Sequence, residues 1–350
     1  MRWDIEAGKQ RIIVDADSLS PESTPSRLVG REAELATLTG CLQPMRHGER
    51  PLNAWLCGPP GSGKSLLAHA ALERVGPAAP PRAGVYVNCW QRRSLYNVLQ
   101  AIIDQLKILS AEAQDANVKF DRIRQALGGQ ATMIVLDDID RTLPAARDEI
   151  IYGLLSLPKA GLVCVADSMR ALVLLEERVR SRLSPVVIEL KPYTTAELVK
   201  ILADRAHHGL MPHSWSSAVL KRIAAASGGD ARVAIRKLLQ AAVAAEEAGQ
   251  RRLDVRWLAT QLRQWNHIQE EARSIQLSEH ERIIRELVTR HGPVGTIRLR
   301  ELYVAHCRKE GIEPVARRTF SKYLVKLNSA GLLRVAARPP GRGGRTVRAA

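Results

Sequence analysis

Long apolar runs and a charged leader segment are both missing from this chain of 350 residues. No run approaches the roughly 18 apolar residues that a membrane-spanning helix needs. The first residues, Met1 to Glu6, lack the charged and then apolar layout of a signal peptide. These absences argue against a membrane or secreted protein, and we expect a cytoplasmic one.

Cysteine is also scarce, and the five residues are Cys41, Cys57, Cys89, Cys164 and Cys307. They are widely spaced, and they form neither a C-x-x-C pair nor a cluster with histidines. An odd number of scattered cysteines argues against both a disulfide framework and a structural zinc site. We therefore expect buried thiols.

Acidic residues are outnumbered, because 52 Lys and Arg stand against 36 Asp and Glu, for a formal net charge of +16. From Ser278 to Ala350 there are 16 basic and 6 acidic residues, which leaves a mild excess of +6 for the first 277 residues. A nearly balanced body with a strongly basic C-terminal module favours a nucleic-acid partner. A basic surface that binds no ligand is the alternative on charge alone.

A motif of the form G-x-x-x-x-G-K-[ST] lies between the apolar run Leu52 to Cys57 and the apolar-periodic stretch Leu66 to Leu72. Its residues are Gly58, Pro59, Pro60, Gly61, Ser62, Gly63, Lys64 and Ser65. The glycines let backbone N–H groups turn toward a polyphosphate, Lys64 reaches the β- and γ-phosphates, and Ser65 offers its hydroxyl to Mg²⁺. The following helix adds the positive end of its dipole. The motif predicts a site for a nucleoside triphosphate with Mg²⁺.

Strands alternate with helices around this motif. The expected strands are Gly84 to Asn88, Thr132 to Asp138 and Gly161 to Ala166, and the expected helices are Ser94 to Leu109 and Ala116 to Leu127. Alternation of this kind indicates a parallel α/β sheet with helices on both faces. A polar segment with Pro and Ser, Arg11 to Pro25, precedes it, and we expect it to be extended.

Two acids end the strand Thr132 to Asp138. Asp137 is placed to hold Mg²⁺ through water, and Asp138 is placed to orient a water toward the γ-phosphate. Hydrolysis also needs a positive charge on the developing transition state. The candidates for it are Arg178, Arg180 and Arg182, which lie in one short stretch, and Arg232, which follows Gly228 and Gly229.

Helices dominate the pattern from Pro192 onward. Thr194 to Glu197 is typical of a capping box, and further helices are expected at Trp215 to Ala226, Ala231 to Ala248 and Asp254 to Ala272. Together they predict a small helical lid domain. A second capping box, Ser278 to Glu281, begins the basic module.

The basic module has the order of elements typical of a winged helix. The expected elements are helices Glu279 to Arg290, Thr296 to Lys309 and Ala316 to Ala330, strand Leu332 to Ala336, hairpin Ala337 to Arg345 and a last short strand. Such modules place the second helix of their helix-turn-helix in the major groove, with its N-terminal residues at the bases.

The residues expected to contact DNA are Arg317, Arg318, Thr319, Ser321 and Lys322 on that helix, and Arg338, Arg342 and Arg345 in the wing. The residues expected to pack inside are Phe320, Tyr323, Leu324 and Leu327. A winged helix can instead serve as a protein-docking module, and that alternative stays open.

Taken together, these motifs resemble those of the archaeal-type origin-recognition and cell-division-control initiator family, which are AAA+ ATPases with a C-terminal winged helix. The resemblance covers about Ser18 to Arg348. The stretches that carry it are Leu19 to Pro25, Arg27 to Leu35, Val87 to Cys89, Val135 to Asp140, Arg178 to Leu183, Pro192 to Tyr193, Gly229 to Ile235, Gly292 to Val294, Arg317 to Leu324 and Gly331 to Leu333.

The resemblance implies a P-loop AAA+ domain at 28–191 after an extended N-terminal segment at 1–27, a helical lid domain at 192–275 and a winged-helix domain at 276–350. It implies ATP and ADP as nucleotides, and it implies double-stranded origin DNA, the replicative helicase and further copies of the chain on DNA as partners. The helices after Asn88 correspond to an insertion that contacts DNA in this family, where Arg92 and Arg93 are candidates.

It also assigns roles to single residues. The implied roles are phosphate and Mg²⁺ contact for Lys64 and Ser65, the acidic pair for Asp137 and Asp138, the first sensor for Asp167, the arginine finger for Arg178, the lid sensor for Arg232, and nucleotide contact for Val29, Gly30, Leu66 and Tyr193.

Two positions depart from the family pattern, since Asp138 stands where Glu is usual and Asp167 where Asn is usual. Asp is shorter than Glu by about 1.5 Å, and a displacement of about 1 Å in a catalytic site costs on the order of a hundredfold in rate. The carboxylate of Asp167 adds repulsion near the γ-phosphate unless Mg²⁺ or an arginine offsets it. We therefore expect slow hydrolysis by a nucleotide switch.

The sequence thus predicts an ATP-dependent replication initiator that binds origin DNA on the nucleoid and helps to recruit the replicative helicase. Two alternatives remain. One is a winged-helix regulator of transcription or plasmid maintenance, and the other is a helicase-loader or transposition-type AAA+ ATPase that holds DNA without sequence preference.

Overall fold

The structure is a computed structural model that describes residues 11–25, 28–75, 84–108, 115–253, 277–329, 332–337 and 345–349. The chain forms two compact units, residues 1–258 and residues 259–350. None of the helices in the described ranges combines the length and apolar character that a membrane span requires.

A five-stranded parallel sheet forms the centre of the first unit. Its strands are β1 (Ala54–Cys57), β2 (Gly84–Asn88), β3 (Thr132–Asp137), β4 (Ala160–Ala166) and β5 (Val186–Glu189), in the spatial order β2, β3, β4, β1, β5. Every residue of β3 and β4 is buried, which explains their nearly unbroken apolar sequences. Because parallel strands end on the same side, the segments after Cys57, Asp137 and Ala166 meet at one edge of the sheet.

Helices cover both faces of this sheet, as the alternation predicted. They are α1 (Glu32–Leu42), α2 (Lys64–Val75), α3 (Leu95–Gln105), α4 (Ala116–Leu127), α5 (Pro144–Leu155), α6 (Arg170–Val173) and α7 (Glu177–Leu183). Successive residues of a strand point to opposite faces of the sheet. Val135 therefore packs in one apolar cluster with Leu67 of α2, and Ile134 packs in the cluster on the other face with Ile102 of α3. The predicted strands agree with β2 to β4 within one residue, and β1 lies in the apolar run before the motif, whereas α1, β5 and α5 to α7 were not assigned from the sequence.

The helical lid packs in the same unit and consists of α8 (Thr195–Gly209), α9 (Ser217–Ala225) and α10 (Ala231–Glu247). Thr194 and Glu197 form the predicted capping box at the start of α8. The helix expected at Asp254 to Ala272 lies outside the described residues. The division of the chain at residues 27/28, 191/192 and 275/276 stays a prediction.

The segment from Arg11 to Pro25 differs from the extended chain that was predicted. It contains a 3-10 turn at Asp17–Leu19, and its apolar residues Ile12 and Leu19 are buried. Ile13 pairs with Leu210 of the lid in an antiparallel bridge. These two apolar residues help to anchor an otherwise polar segment on the lid, and we call residues 11–25 the N-terminal strap.

The second unit has the predicted order of elements of a winged helix. They are α11 (Glu279–His291), β6 (Val294–Gly295), α12 (Thr296–Lys309), α13 (Arg317–Ser329), β7 (Leu333–Ala337) and β8 (Arg345–Ala349), with an antiparallel sheet in the order β6, β8, β7. Ser278 and Glu281 form the predicted capping box of α11. Residues 338–344 of the expected hairpin lie outside the described residues.

All five cysteines are free and buried, as predicted. Burial raises the pKa of the Cys164 thiol to about 12. A thiol with so high a pKa is protonated at neutral pH and behaves as a small apolar side chain.

Candidate nucleotide-binding site

A cavity of about 420 Å³ lies over the edge of the sheet where β1, β3 and β4 end. It is bounded by the loop of the G-x-x-x-x-G-K-[ST] motif, by the N-terminal strap and by the lid. The predicted site residues that line it are Val29, Gly61, Gly63, Lys64, Ser65, Leu66, Asp138, Asp167, Tyr193 and Arg232. Its volume falls within the range of pockets that bind small ligands and cofactors.

Other predicted residues lie near the cavity without lining it. Those of the loop are Gly58, Pro59, Pro60 and Ser62, and the remaining ones are Gly30 and Asp137. The Ser62 side chain is buried, and its hydroxyl has no hydrogen-bond partner among the residues that the structure describes.

The arginine stretch in α7 does not face the cavity of its own chain. The Arg178 side chain is 72% exposed and pairs with Glu176 at 2.7 Å. Arg180 donates to the carbonyls of Val173 and Leu175, and Arg182 donates to the carbonyl of Leu155. Of the four candidate arginines, Arg232 is the one that reaches the cavity.

Two glycines of the loop allow contacts that no larger residue permits. Gly61 has φ +71°, and a Cβ there would lie 1.9 Å from Oδ1 of Asp230. Gly63 has φ +92°, and a Cβ there would lie 2.6 Å from the hydroxyl oxygen of Tyr193. The backbone N–H of Ala231 also donates to the Gly61 carbonyl at 3.1 Å. The loop is therefore held directly against the lid, at a distance that only glycine permits.

The Lys64 ammonium lies at the centre of the site and is buried. It donates to the carbonyl of Gly58 at 2.7 Å, to that of Pro59 at 3.1 Å and to Oδ1 of Asp167 at 3.1 Å. These three acceptors use all three N–H donors of a lysine.

The acidic pair lies at the end of β3. Asp137 is buried and accepts hydrogen bonds from the Tyr86 hydroxyl and from the Asp138 backbone N–H. The Tyr86 ring stacks on His69 of α2 with 3.9 Å between ring centroids. Asp138 has φ +54°, a left-handed conformation that Asp tolerates better than most residues. Burial raises the pKa of Asp138, and the neighbouring carboxylates of Asp137, Asp167 and Asp140 raise it further.

Sequence reasoning missed two charged residues beside this pair, Asp140 and Arg141. Arg141 donates to Oδ2 of Asp167 at 2.6 Å, and its guanidinium lies 5.0 Å from the centroid of the Trp90 ring. Asp140 accepts the backbone N–H of Asp167 at 3.2 Å. Both residues follow the acidic pair directly in the chain, and the 3-10 turn Ile139–Arg141 brings them back toward β4.

Arg31 is a third missed residue, and it joins the phosphate loop to the start of the lid. Its guanidinium is buried and donates to the Ser62 carbonyl at 3.0 Å and to the Lys191 carbonyl at 2.5 Å. It also lies 4.0 Å from the centroid of the Tyr193 ring. Burial raises the pKa of the Tyr193 hydroxyl, which therefore stays protonated at neutral pH.

Two lid residues fix the N-terminal strap at the cavity. Oε1 of Glu246 accepts the backbone N–H groups of Ile12 at 2.6 Å and Ile13 at 2.7 Å. Arg205 donates to the carbonyls of Ser18 at 3.1 Å and Ser23 at 2.6 Å. The strap residues that line the cavity, 21–25, are therefore anchored to the lid.

The winged helix presents its predicted DNA-contacting residues at the start of α13. Arg317, Arg318, Ser321 and Lys322 are exposed, and Thr319 is half-buried. The predicted inner residues Phe320, Leu324 and Leu327 are buried, with Tyr323 packed against them. Arg345 begins β8 opposite Ala337, while Arg338 and Arg342 lie outside the described residues.

The C-terminal half of α13 is tied to α11 by an ion pair. Glu281 is fully buried, and its Oε1 lies 2.7 Å from Nζ of Lys326. Burial alone would raise the pKa of Glu281, but the hydrogen bonds from Lys326 and Ser278 hold it below its ordinary value.

The fold and the cavity define a P-loop AAA+ protein with a helical lid and a C-terminal winged helix. Family profiles agree: an AAA ATPase domain matches residues 27–166, a Cdc6 AAA+ ATPase-type lid domain matches 199–256, and a CDC6 C-terminal winged helix domain matches 281–350. ORC1-type DNA replication protein 9 of Halobacterium salinarum is 30% identical over 327 residues, which are 92% of this chain and 90% of that protein. The chain belongs to the archaeal ORC1/Cdc6 family.

Solved structures share this architecture over nearly the whole chain. The ORC1 protein of Aeropyrum pernix, solved in complex with DNA, is 27% identical with a TM-score of 0.65, and the match covers 97% of this chain and 94% of that one. The ORC2 protein of Aeropyrum pernix in its ADPNP-ADP complexes has a TM-score of 0.77 at 24% identity, with the same coverage. The second likeness shows the fold alone.

Proposed function

We propose that the chain binds ATP with Mg²⁺ in the cavity at the edge of the sheet and hydrolyses it slowly. The observation that carries this proposal is that one cavity gathers Lys64 and Ser65 of the phosphate loop, Asp138 and Asp167 of the sheet and Arg232 of the lid. The glycine cradle supports it, because a Cβ at Gly61 or Gly63 would collide with lid residues. Family membership and the AAA ATPase domain support the same reaction.

Each residue then has a role in the proposed site. When bound, Mg²⁺ neutralises phosphate charge. Ser65 and Asp137 would hold it, and the Tyr86 hydroxyl donates to the Asp137 carboxylate and so orients it. Lys64 contacts the β- and γ-phosphates, and Arg232 contacts them from the lid. The residues proposed to surround the rest of the nucleotide are Val29, Gly30, Leu66 and Tyr193.

Arg178 is proposed to act on the cavity of a neighbouring copy of the chain. It is exposed and does not line its own cavity, which supports a role between copies bound side by side on DNA. An arginine supplied by a neighbour stabilises the charge that develops during phosphoryl transfer.

Asp138 is proposed to orient the attacking water and to limit the rate. The shorter side chain of Asp holds its carboxylate about 1.5 Å further back than Glu does, and this distance is large for a catalytic group. Asp138→Glu is expected to raise the hydrolysis rate while the nucleotide Kd changes little, and Asp138→Asn is expected to abolish hydrolysis. Single-turnover hydrolysis and equilibrium titration measure the two quantities, and thermal unfolding checks that Glu is accepted at this left-handed position. An unchanged rate in Asp138→Glu would show that Asp138 is competent or that another step limits.

We infer further that the winged helix binds double-stranded origin DNA. The exposed basic residues at the start of α13 support this inference, as do the charge of the C-terminal module and the DNA complex of the Aeropyrum relative. Removing Arg318 and Lys322 together is expected to make the fall of log affinity with log salt shallower by about 1.8, because each phosphate contact contributes about 0.9 to this slope. A variant without Arg290 and Lys309, which are equal in charge and lie on α11 and α12, serves as the control.

The biological role is proposed to be replication initiation in the cytoplasm, on the nucleoid, with recruitment of the replicative helicase. The related proteins are named ORC1-type DNA replication proteins, which supports this role. Sequencing the DNA retained by the protein tests it. A few repeated sites beside a replication start support an initiator, promoter sites support a regulator of transcription, and unselected DNA supports a loader. Retention of purified helicase on origin DNA only in the presence of this protein tests recruitment.

A further inference from the structure

Asp167 lies between two cations at the end of β4. Its Oδ1 is 3.1 Å from Lys64 Nζ and its Oδ2 is 2.6 Å from a terminal nitrogen of Arg141. Its backbone N–H is held by Asp140. Both carboxylate oxygens and the backbone are thus fixed, and the carboxylate lies on the wall of the proposed nucleotide cavity.

The surroundings of Asp167 are strongly acidic. The carboxylates of Asp137, Asp138 and Asp140 lie in the same cluster. Burial raises the pKa of Asp138, and the carboxylates of Asp137, Asp167 and Asp140 raise it further. A nucleoside triphosphate adds further negative charge next to Asp167. The cations that contact Asp167 are therefore needed both before and after a nucleotide binds.

Lys64 has to release an acceptor before it contacts a phosphate, since its three donors are all in use. Two of the acceptors are neutral backbone carbonyls of its own loop, whereas the third is the carboxylate of Asp167. A hydrogen bond between two charged groups is roughly twice as strong as a neutral one. Asp167 is therefore the main competitor of the phosphates for Lys64.

We propose that Arg141 is a positioning residue that neutralises Asp167 and so leaves Lys64 free to contact the phosphates of a bound nucleotide. This inference rests on the proposed ATP site. Arg141 acts through Asp167, and in this chain it compensates for a carboxylate at a position where the family pattern has Asn. The guanidinium also lies 5.0 Å from the centroid of the Trp90 ring, but the ion pair with Asp167 alone carries the effect.

A double-mutant cycle on the full chain tests this role through the Kd of fluorescent ATP and ADP analogues, which is a readout independent of hydrolysis. Arg141→Ala is expected to raise the Kd for the ATP analogue about tenfold, a typical coupling for a charged pair in contact. The rise is expected to be smaller for the ADP analogue, which lacks the γ-phosphate. Combined with Asp167→Asn, the same change is expected to alter the Kd less than about twofold. Arg141→Lys keeps the charge and is expected to retain most of the affinity.

Two control variants separate this role from general effects. Arg124→Ala removes an arginine in a similar ion pair. The Arg124 side chain is 45% exposed and lies 2.6 Å from Asp121, and the Arg141 side chain is 43% exposed and lies 2.6 Å from Asp167. Trp90→Leu removes the ring contact and leaves the ion pair. Both variants are expected to bind nucleotide like the unmodified chain.

Three results would overturn the inference. The first is an unchanged Kd in Arg141→Ala. The second is that Arg141→Ala lowers the affinity equally whether residue 167 is Asp or has been changed to Asn, since Arg141 would then act directly on the nucleotide. The third is a loss of the same size in Trp90→Leu. If the unmodified chain and the Lys64→Ala variant bind ATP equally poorly, the proposed ATP site fails, and this result is distinct from the other three.

Discussion

Glu246 offers a direct test of how the N-terminal strap is held at the cavity. One carboxylate oxygen of this lid residue accepts the backbone N–H groups of Ile12 and Ile13 at 2.6 and 2.7 Å. Glu246→Ala removes the acceptor that these two N–H groups share, and the Ile12 side chain beside them is buried. The rest of the strap keeps the hydrogen bonds that Arg205 donates to Ser18 and Ser23. We therefore expect a local opening of the first half of the strap, not its complete release.

The size of the effect follows from the two hydrogen bonds. Each bond to a charged acceptor contributes about 1.5–3 kcal/mol, and Glu246 is only half-buried, so the lower end of that range applies. Their sum is about 3 kcal/mol, which corresponds to somewhat more than a hundredfold in the opening equilibrium. The affinity for nucleotide is expected to fall only a few fold, because Arg205 still anchors the part of the strap that lines the cavity.

Hydrogen exchange followed by mass spectrometry measures this opening in peptides that cover residues 11–16. The matched control is Glu247→Ala, since Glu247 is the next residue of α10 and is exposed. Exchange in the strap that is equal in the two variants would refute the assigned role of Glu246. Exchange that rises equally over residues 11–25 would show that Arg205 does not hold the second half on its own.

Two further changes test the phosphate loop and the winged helix. Gly61→Ala is expected to lower the free energy of unfolding by about 2–3 kcal/mol in urea denaturation and to abolish nucleotide binding, because it adds left-handed strain and displaces Asp230 from the cap of α10. The control is Gly48→Ala, which adds the same strain at φ +68° but has open space around the new Cβ. Equal losses of unfolding free energy in the two variants would contradict the clash with Asp230. Glu281→Gln is expected to weaken protection of α11 amides in hydrogen exchange by about 1–2 kcal/mol at pH 7. The pKa of Glu281 in the folded protein lies below its ordinary value. Its carboxylate therefore stabilises the fold at pH values above the ordinary pKa, and this stabilisation is lost as the pH falls through the folded pKa. The difference from the unmodified chain is therefore expected to shrink as the pH is lowered through the folded pKa, while Glu286→Gln, at an exposed position of the same helix, is expected to change little over the same pH range.

The phosphate loop, the acidic pair and the winged helix were predictable because short stretches of sequence encode them. A glycine pattern between strand and helix fixes the cradle, and an apolar run that ends in Asp137 and Asp138 fixes the acids at the same sheet edge. In the winged helix, the spacing of Phe320, Leu324 and Leu327 determines which face of α13 packs inside.

Other parts of the site depend on contacts between distant residues. Arg31 reaches a carbonyl 160 positions away, and Glu246 holds a strap more than 230 positions before it. No local pattern marks either residue, since an arginine before a helix and a glutamate near a helix end are common surface residues. The edge strand β5 was missed for a related reason, because it has four residues of which three are exposed, and its neighbour β1 supplies its pairing.

The attachment of the strap to the lid has a consequence for nucleotide exchange. The strap contacts α8 and α10 through buried side chains and hydrogen bonds, so strap and lid are expected to move together. A single rotation near Lys191 to Tyr193 would withdraw two walls of the cavity at once, while Arg31 and the Gly61 to Ala231 hydrogen bond resist it. The lifetime of a bound nucleotide would then be set by one opening step, with the same first-order rate constant for the departure of ATP and of ADP.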